Sequence, residues 1–261
     1  MYLLSDIGNT RIKLAIFDNN NNIPLYFKAI DHSSGITDLI DSVNFIKENF
    51  KGIKNIFYSS VSIKINDLFE SAIKDCFNMD AYKVTHDDIK LKDNLYEPKN
   101  SVGIDRILST YASICLEGYN DIDKYASIVI DMGTATTISI MISDFTFLGG
   151  MIIAGTKTSY QALSNRTSLP YYEIGPIEAI PNPINNNSKD AIMSGAIYNT
   201  IGTVNYAVLE TKKYIKEKYN IKSKIFLTGG ISNLRLLKCK VYPFLVLQGI
   251  YFNMIDKQYY I

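Results

Sequence analysis

The sequence predicts an α/β fold of two similar halves, each a mixed sheet with helices, set around a central cleft. The first observation behind this is an internal echo: Ser5-Asp6-Ile7-Gly8-Asn9-Thr10 returns as Ile130-Asp131-Met132-Gly133-Thr134-Ala135-Thr136-Thr137. Each copy ends a strand-like run on an Asp, places Gly two residues on, adds small amide or hydroxyl residues, and opens a second apolar run, Ile12 to Phe17 or Ile138 to Ile142. That is a strand, tight turn, strand unit written twice. The second observation is alternation of strand-like and helix-like segments, which implies a sheet covered by helices on at least one face. The third is length: 261 residues fit two domains of about 120–140 residues better than one. The expected division is 1–120 and 121–261, with a boundary near Gly118 to Tyr125.

Taken in order, Tyr2 to Asp6 and Ile12 to Phe17 are strands rich in Ile, Leu and Phe. Asp18 to Asn22, ahead of Pro24, is a turn, and a strand at Leu25 to Ile30 completes a meander. Asp38 to Phe50 carries Leu39, Ile40, Val43, Ile46 and Phe50 at near-helical spacing. Strands at Ile53 to Ser59 and Ala81 to Val84 enclose a helix at Ile65 to Cys76. Thr85 to Lys99 is polar and irregular. Ser101 to Glu117 is a helix with a stripe of Ile104, Ile107, Leu108, Tyr111, Ile114 and Cys115. The second half begins with strands at Ser127 to Asp131, Thr137 to Ile142 and Phe145 to Ile153. Asn185 to Asn187 is loop composition, and Ser188 is the expected N-cap of a helix reaching about Tyr219. A short strand, Lys224 to Leu227, then leads into Thr228-Gly229-Gly230.

Composition excludes several classes of function. Lys plus Arg number 27 against 26 Asp plus Glu, so no bulk charge exists to hold a nucleic acid or an anionic membrane. Any bound anion must be held locally. Cys76, Cys115 and Cys239 form no C-x-x-C pair, and with His32 and His86 as the two histidines they argue against a structural zinc site or a disulfide framework. The start of the chain has no basic n-region and no apolar run near 18 residues. A soluble protein of the cytoplasm is the expectation.

The two turns suggest phosphate chemistry. An Asp beside exposed backbone N–H groups can face a metal ion while the N–H groups face oxyanions. Asp6, followed by Asn9, Thr10 and Lys13, suits a hydrated Mg²⁺ next to phosphates, because that ion keeps its waters and prefers oxygen ligands. Lys13 could supply a point charge to a phosphate. The plainer alternatives are a strand-ending cap for Asp6 and a solvated strand lysine for Lys13. No G-x-x-x-x-G-K-[ST] occurs, so a P-loop is not the phosphate cradle. Thr134, Thr136 and Thr137 offer hydroxyl and backbone groups to phosphate. Thr228, Gly229 and Gly230 let backbone approach a flat ring, or else form an ordinary turn. Asp105 near a helix start favours the macrodipole in any case. With Arg106 it also lies off the Ile104, Ile107, Leu108 stripe and can line a cleft. Arg106 suits a carboxylate or phosphate, or a structural ion pair.

In this order, the motifs resemble those of the type III pantothenate kinases, within the superfamily of acetate and sugar kinases, Hsp70 and actin. Asp6 to Lys13 is similar to the first phosphate motif, Asp6, Ile7, Gly8, Asn9, Thr10, Arg11, Ile12 and Lys13. Gly103-Ile104-Asp105-Arg106 is similar to the G-x-D-R signature, with Tyr96 at the upstream substrate-side tyrosine. Asp131 to Thr137 resembles D-x-G-T-A-T-T. Gly149-Gly150, Gly155, Ala162-Leu163 and Thr167 to Pro170 follow the next segment, and Thr228-Gly229-Gly230 matches a glycine turn near the adenosine. The resemblance implies two ribonuclease H-like domains around a nucleotide cleft and a homodimer that shares the substrate pocket. It implies phosphorylation of pantothenate by ATP to 4'-phosphopantothenate, the first step of coenzyme A biosynthesis.

The same resemblance assigns roles. Asp105 is the expected general base. Tyr96, Gly103, Ile104, Asp105, Arg106 and Ser188 are expected at pantothenate, and residues Asp6 to Lys13 with Thr134, Gly229 and Gly230 at ATP. Asp6 is expected to meet Mg²⁺ through water, and Asp131 to hold a monovalent cation, K⁺ or NH₄⁺. Two departures stand out: Ala154 replaces a common Pro before Gly155, and Ser188 replaces a common Thr. Two other classes share the Asp turns. Another kinase or phosphohydrolase of the superfamily would have no reason to carry G-x-D-R followed by D-x-G-T-A-T-T. A non-catalytic nucleotide-binding regulator would have no reason to retain Asp6, Lys13, Asp105 and Asp131 together.

Overall fold

A computed structural model describes residues 1–118, 123–172, 179–230 and 239–255. The chain forms two compact units: Met1–Tyr119 with Phe145–Phe147 and Phe244–Ile261, and Asn120–Asp144 with Leu148–Pro243. The sequence boundary at Gly118 to Tyr125 falls partly on residues 119–122, outside the described residues.

In the first unit, β1 (Tyr2–Ile7) and β2 (Arg11–Asp18) pair antiparallel, with Asp6 opposite Lys13 and Ile7 opposite Ile12. β3 (Asn21–Asp31) pairs antiparallel with β2 at the sheet edge. β4 (Asn55–Ser60) lies parallel to β1, and the short β5 (Tyr82–Lys83) parallel to β4. The order is therefore β3-β2-β1-β4-β5. The strand β3 starts at Asn21, inside the turn expected at Asp18 to Asn22 and ahead of the expected Leu25, and it contains Pro24. An edge strand tolerates Pro, because the missing N–H faces no partner.

Helices α1 (Gly35–Asn49) and α2 (Ile63–Phe77) pack against each other and bury Leu39, Val43, Ile46, Phe69 and Ile73 with Leu3, Ile7, Leu14 and Ile16. Alternate residues of β1 and β2 thus enter one core. α3 (Ile104–Glu117) is buried on nearly every side, not along a single stripe. The cause is α6 (Leu245–Met254), which returns from the C-terminal region to pack on α3. A Cβ on Gly249 would stand 2.3 Å from the Leu108 carbonyl oxygen, so the two helices meet backbone to backbone.

The second unit repeats the plan. β7 (Tyr125–Met132) and β8 (Ala135–Ile142) are antiparallel, β9 (Thr146–Ala154) follows β8, and β10 (Lys222–Thr228) runs parallel to β7 with Thr228 beside Asp131. The order β9-β8-β7-β10 matches β3-β2-β1-β4. β6 (Asp93–Asn94) pairs with Thr146 and Phe147 at the start of β9, which belong to the first unit. α4 (Thr156–Arg166) packs with α5 (Ser188–Tyr219), whose Val204, Ala207, Val208 and Ile215 cover Ile128, Ile130, Ile138 and Ile140. The cap of α5 differs from the expected Ser188. Asn187 has extended backbone, its Oδ1 accepts the Asp190 N–H at 2.9 Å, and its Nδ2 donates to Asp190 Oδ2 at 2.7 Å. Asn187 therefore caps the helix start through its side chain, and Ser188 becomes the helix's first residue.

Candidate active site

The first turn gathers its polar groups at the carboxyl ends of β1 and β4, where open α/β sheets bind ligands. Residues directly opposite in an antiparallel pair share a face, so Asp6 and Lys13 meet: Lys13 Nζ donates to Asp6 Oδ2 at 2.8 Å. Asp6 is only 4% exposed, and its Oδ1 lies 3.4 Å from the Ser59 hydroxyl on β4. A buried carboxylate needs such partners to stay charged. The turn itself is clamped at several points. Gly8 N–H donates to the Arg11 carbonyl at 2.9 Å, His32 N–H donates to the Thr10 carbonyl at 2.8 Å, and Arg11 Nε donates to Asp31 at 2.6 Å. Ile7 and Ile12 are core residues, so only their backbone is available to a ligand. Asn9 and Thr10 are exposed. Gly8 has no positive φ, and a Cβ there would make only ordinary contact, 3.6 Å from the Arg11 carbonyl. Among the described residues, no other atom outside its chain neighbours stands within 4 Å of that Cβ.

The same unit holds the Gly103 to Arg106 corner. Val61, just past β4, donates its N–H to the Ile7 carbonyl at 3.0 Å, and its Cγ1 would lie 3.8 Å from a Cβ on Gly103. His86 Nε2 lies 2.8 Å from the Val102 carbonyl. A reciprocal cap between Thr85 and Asp88 fixes the turn around His86. Burial of Asp88 opposes its ionisation, but the Thr85 N–H with the Tyr82 and Thr85 hydroxyls outweighs it and holds the carboxyl below its ordinary range. The polar stretch after Thr85 is therefore ordered in large part by side-chain hydrogen bonds, with Ile89 buried and the Lys92 and Leu95 N–H groups donating to the Phe145 and Phe147 carbonyls. Asn94 accepts the Tyr96 N–H at 3.1 Å and donates to the Lys99 carbonyl. Tyr96 is thereby aimed at Arg106, whose guanidinium carbon lies 5.5 Å from the ring centroid. Arg106 is buried, at 4% exposed, which differs from the open cleft position that the helical stripe suggested. The aromatic face offsets part of the cost of burying the cation.

Asp105 sits half-buried in the first turn of α3. Its Oδ1 accepts the Arg106 N–H at 2.9 Å, and that same N–H reaches the Gly103 carbonyl at 3.0 Å. Ile104 is buried.

In the second unit, Asp131, next to last in β7, lies beside Thr228. Gly229 has φ +98°, and a Cβ there would lie 2.4 Å from Met132 N and 2.6 Å from Asp131 Oδ1. Backbone and carboxylate occupy the space that any side chain would need. A Cβ on Gly155 would likewise find no room, lying 2.4 Å from the Gly133 and Thr134 carbonyl oxygens. The start of α4 is thus seated on the turn, with Gly155 N–H and Thr158 Oγ1 both donating to the Thr134 carbonyl. Thr134 and Gly230 are exposed. Among the described residues, Thr136 Oγ1 is buried without a hydrogen-bond partner, as is Ser5 Oγ in the first unit. Ser188 is exposed at the start of α5. Asp6, Lys13, Tyr96 and the Gly103 to Arg106 corner share the first unit; Asp131, Thr134, Ser188, Gly229 and Gly230 lie in the second. The clamps from Ser59, Asp31 and His32 carried no sequence signal, since each depends on a long-range pairing.

Both turns are furnished with oxygen donors and backbone N–H groups, which fits Mg²⁺ and phosphate chemistry. Among the described residues no cluster of three or more His, Cys, Asp or Glu forms a metal site. A divalent ion would be held by one carboxylate together with waters and phosphate oxygens, as Mg²⁺ commonly is.

The profile of the type III pantothenate kinase family matches residues 2–210. The chain belongs to this family. Its members are phosphotransferases, and the chain is an enzyme of that class. Among solved structures, a Campylobacter jejuni protein assigned to the Baf family of transcriptional activators is 19% identical, with 98% of each chain covered and a TM-score of 0.57. That likeness concerns the fold alone. The ethanolamine utilization protein EutJ of Carboxydothermus hydrogenoformans is 15% identical over 97% of this chain and 89% of its own, with a TM-score of 0.48. MreB 5 of Spiroplasma citri, bound to AMPPNP, is 10% identical over 98% and 97%, with a TM-score of 0.49.

Proposed function

We propose that the protein transfers the γ-phosphoryl group of ATP to the primary hydroxyl of pantothenate, giving 4'-phosphopantothenate and ADP in the first step of coenzyme A biosynthesis. The observation that carries this reading is the corner at Gly103 to Arg106. There a partly exposed carboxylate, tethered by a backbone N–H, stands next to a buried guanidinium under an aromatic ring. Asp105 accepts the hydroxyl proton as that oxygen attacks the γ-phosphorus and the bond to the ADP oxygen breaks. Phosphoryl transfer passes through a loose transition state, so holding the hydroxyl in line counts for as much as basicity. Arg106 and Tyr96 position pantothenate, and Ser188 contributes a hydroxyl to the same substrate.

Asp6, Gly8, Asn9, Thr10 and Lys13 hold the phosphates, with the open space above Gly8 allowing close approach to backbone. Mg²⁺ would be held at Asp6 through water and would neutralise phosphate charge. Asp131 would hold K⁺ or NH₄⁺, which would offset further phosphate charge. Thr134 meets phosphate, and Gly229 and Gly230 meet the adenosine. The active form is a homodimer: Tyr198, Tyr206 and Leu209 are exposed on one face of α5, whereas α3 has no apolar face to spare. The near-neutral charge goes with small-molecule substrates, without nucleic acid or membrane. No helix among the described residues is long and apolar enough to cross a membrane, and a cytoplasmic site of action accompanies the reading.

Coupled measurement of ADP release tests the substrate: turnover with pantothenate and none with sugars or acetate is expected. The reverse pattern would overturn the assignment. Replacing K⁺ by Na⁺ should depress kcat with pantothenate, because the smaller ion fits a site sized for K⁺ or NH₄⁺ poorly. Equal rates in the two salts would remove the role given to Asp131.

A further inference from the structure

We propose that Gly103 is a positioning residue whose missing side chain sets the orientation of the Asp105 carboxylate; this rests on the reading of Asp105 as the general base. A Cβ built on Gly103 would lie 2.4 Å from Asp105 Oδ1 and 3.6 Å from its Cγ. The carboxylate folds back over the helix start and takes the volume that every other residue type would fill. The Arg106 N–H, shared between Asp105 Oδ1 and the Gly103 carbonyl, holds it there.

The backbone at this position does not require glycine. Its φ is −59° and its ψ 130°, a conformation that alanine adopts without strain. Among the described residues, the nearest neighbour of an added Cβ outside Asp105 and the adjoining residues is Val61 Cγ1 at 3.8 Å, an ordinary contact. The clash is with the movable end of a side chain, in contrast to Gly155 and Gly249, where a Cβ would strike backbone. An alanine at 103 is therefore accommodated by moving the carboxylate, and restoring ordinary contact requires a shift of about 1 Å. A misplacement of that size at a reacting group can cost up to about 10²-fold in rate. The glycine of the corner thus serves the chemistry through Asp105 and not the stability of α3.

The test is Gly103→Ala in the full-length protein, alone and combined with Asp105→Asn, with pantothenate, ATP, Mg²⁺ and K⁺. The expected result is a kcat lowered by about 10- to 100-fold, a KM for pantothenate and for ATP within about twofold of the parent, and a melting temperature equal or higher, since Gly→Ala restricts the unfolded chain. In the Asp105→Asn background the alanine should cost nothing further, because two changes that act through one group are not additive. A near-parental kcat in Gly103→Ala alongside a crippled Asp105→Asn would overturn the proposal while leaving the base role intact. Losses that multiply in the double variant, or a melting temperature lowered along with the rate, would also overturn it. A near-parental kcat in Asp105→Asn would instead overturn the base role on which it rests.

Discussion

Asp105→Asn is expected to lower kcat for pantothenate phosphorylation by a factor of about 10²–10⁴, the usual contribution of a positioned general base. Asparagine has nearly the same shape, and its Oδ1 can still accept the Arg106 N–H that Asp105 accepts at 2.9 Å. The helix start therefore keeps its geometry, and the variant should melt close to the parent. What is lost is the capacity to take the proton from the attacking hydroxyl. Steady-state kinetics with both substrates saturating separate this from weaker binding: kcat falls while KM moves little. A kcat near that of the parent would leave Asp105 as a helix-start carboxylate with a favourable dipole interaction and no part in the chemistry.

Gly229→Ala is expected to destabilise the protein by about 2–4 kcal/mol, combining a strained left-handed backbone with overpacking. The two contributions are visible separately: φ is +98°, and the new Cβ would press on Met132 N at 2.4 Å. Because the same Cβ would lie 2.6 Å from Asp131 Oδ1, activity should fall with stability. Chemical denaturation measures the loss directly. A denaturation midpoint equal to that of the parent would mean that the turn after β10 yields without cost, and would remove the steric tie between Gly229 and Asp131. The contrast with Gly103 is instructive. Both glycines lie under a carboxylate oxygen, but only Gly229 lies under backbone as well.

Much of the architecture was legible because each half begins with a short apolar run, rich in β-forming residues, that ends on Asp before a Gly turn. Leu3, Ile7, Leu14 and Ile16 of the first pair of strands lie in one core. What was not legible depends on partners remote in sequence. The apolar run of α6 reads equally well as strand or helix, and only its packing on α3 decides. That packing also explains why α3 is buried all round and why Arg106 is not at an open surface. α4 has too weak an apolar stripe to be seen before Gly155 is known to sit on the Thr134 turn. Asn187 displaced Ser188 as the cap because cap choice among neighbouring Asn and Ser residues is set by backbone conformation, which composition does not carry. At the candidate site, the residues with side-chain chemistry, Asp6, Lys13, Asp105 and Arg106, could be named from motifs. Ser59 beside Asp6 and Asp31 beside Arg11 come only with strand pairing, and loop hydrogen bonds aim Tyr96, itself named from the motifs, at Arg106.

The most direct measurement is mass spectrometry with ³¹P NMR on pantothenate incubated with the purified protein, ATP, Mg²⁺ and K⁺. A single new phosphomonoester on the primary hydroxyl, formed in step with ADP, is the predicted result. ATP left intact, or hydrolysed to free phosphate with pantothenate unchanged, would contradict the account.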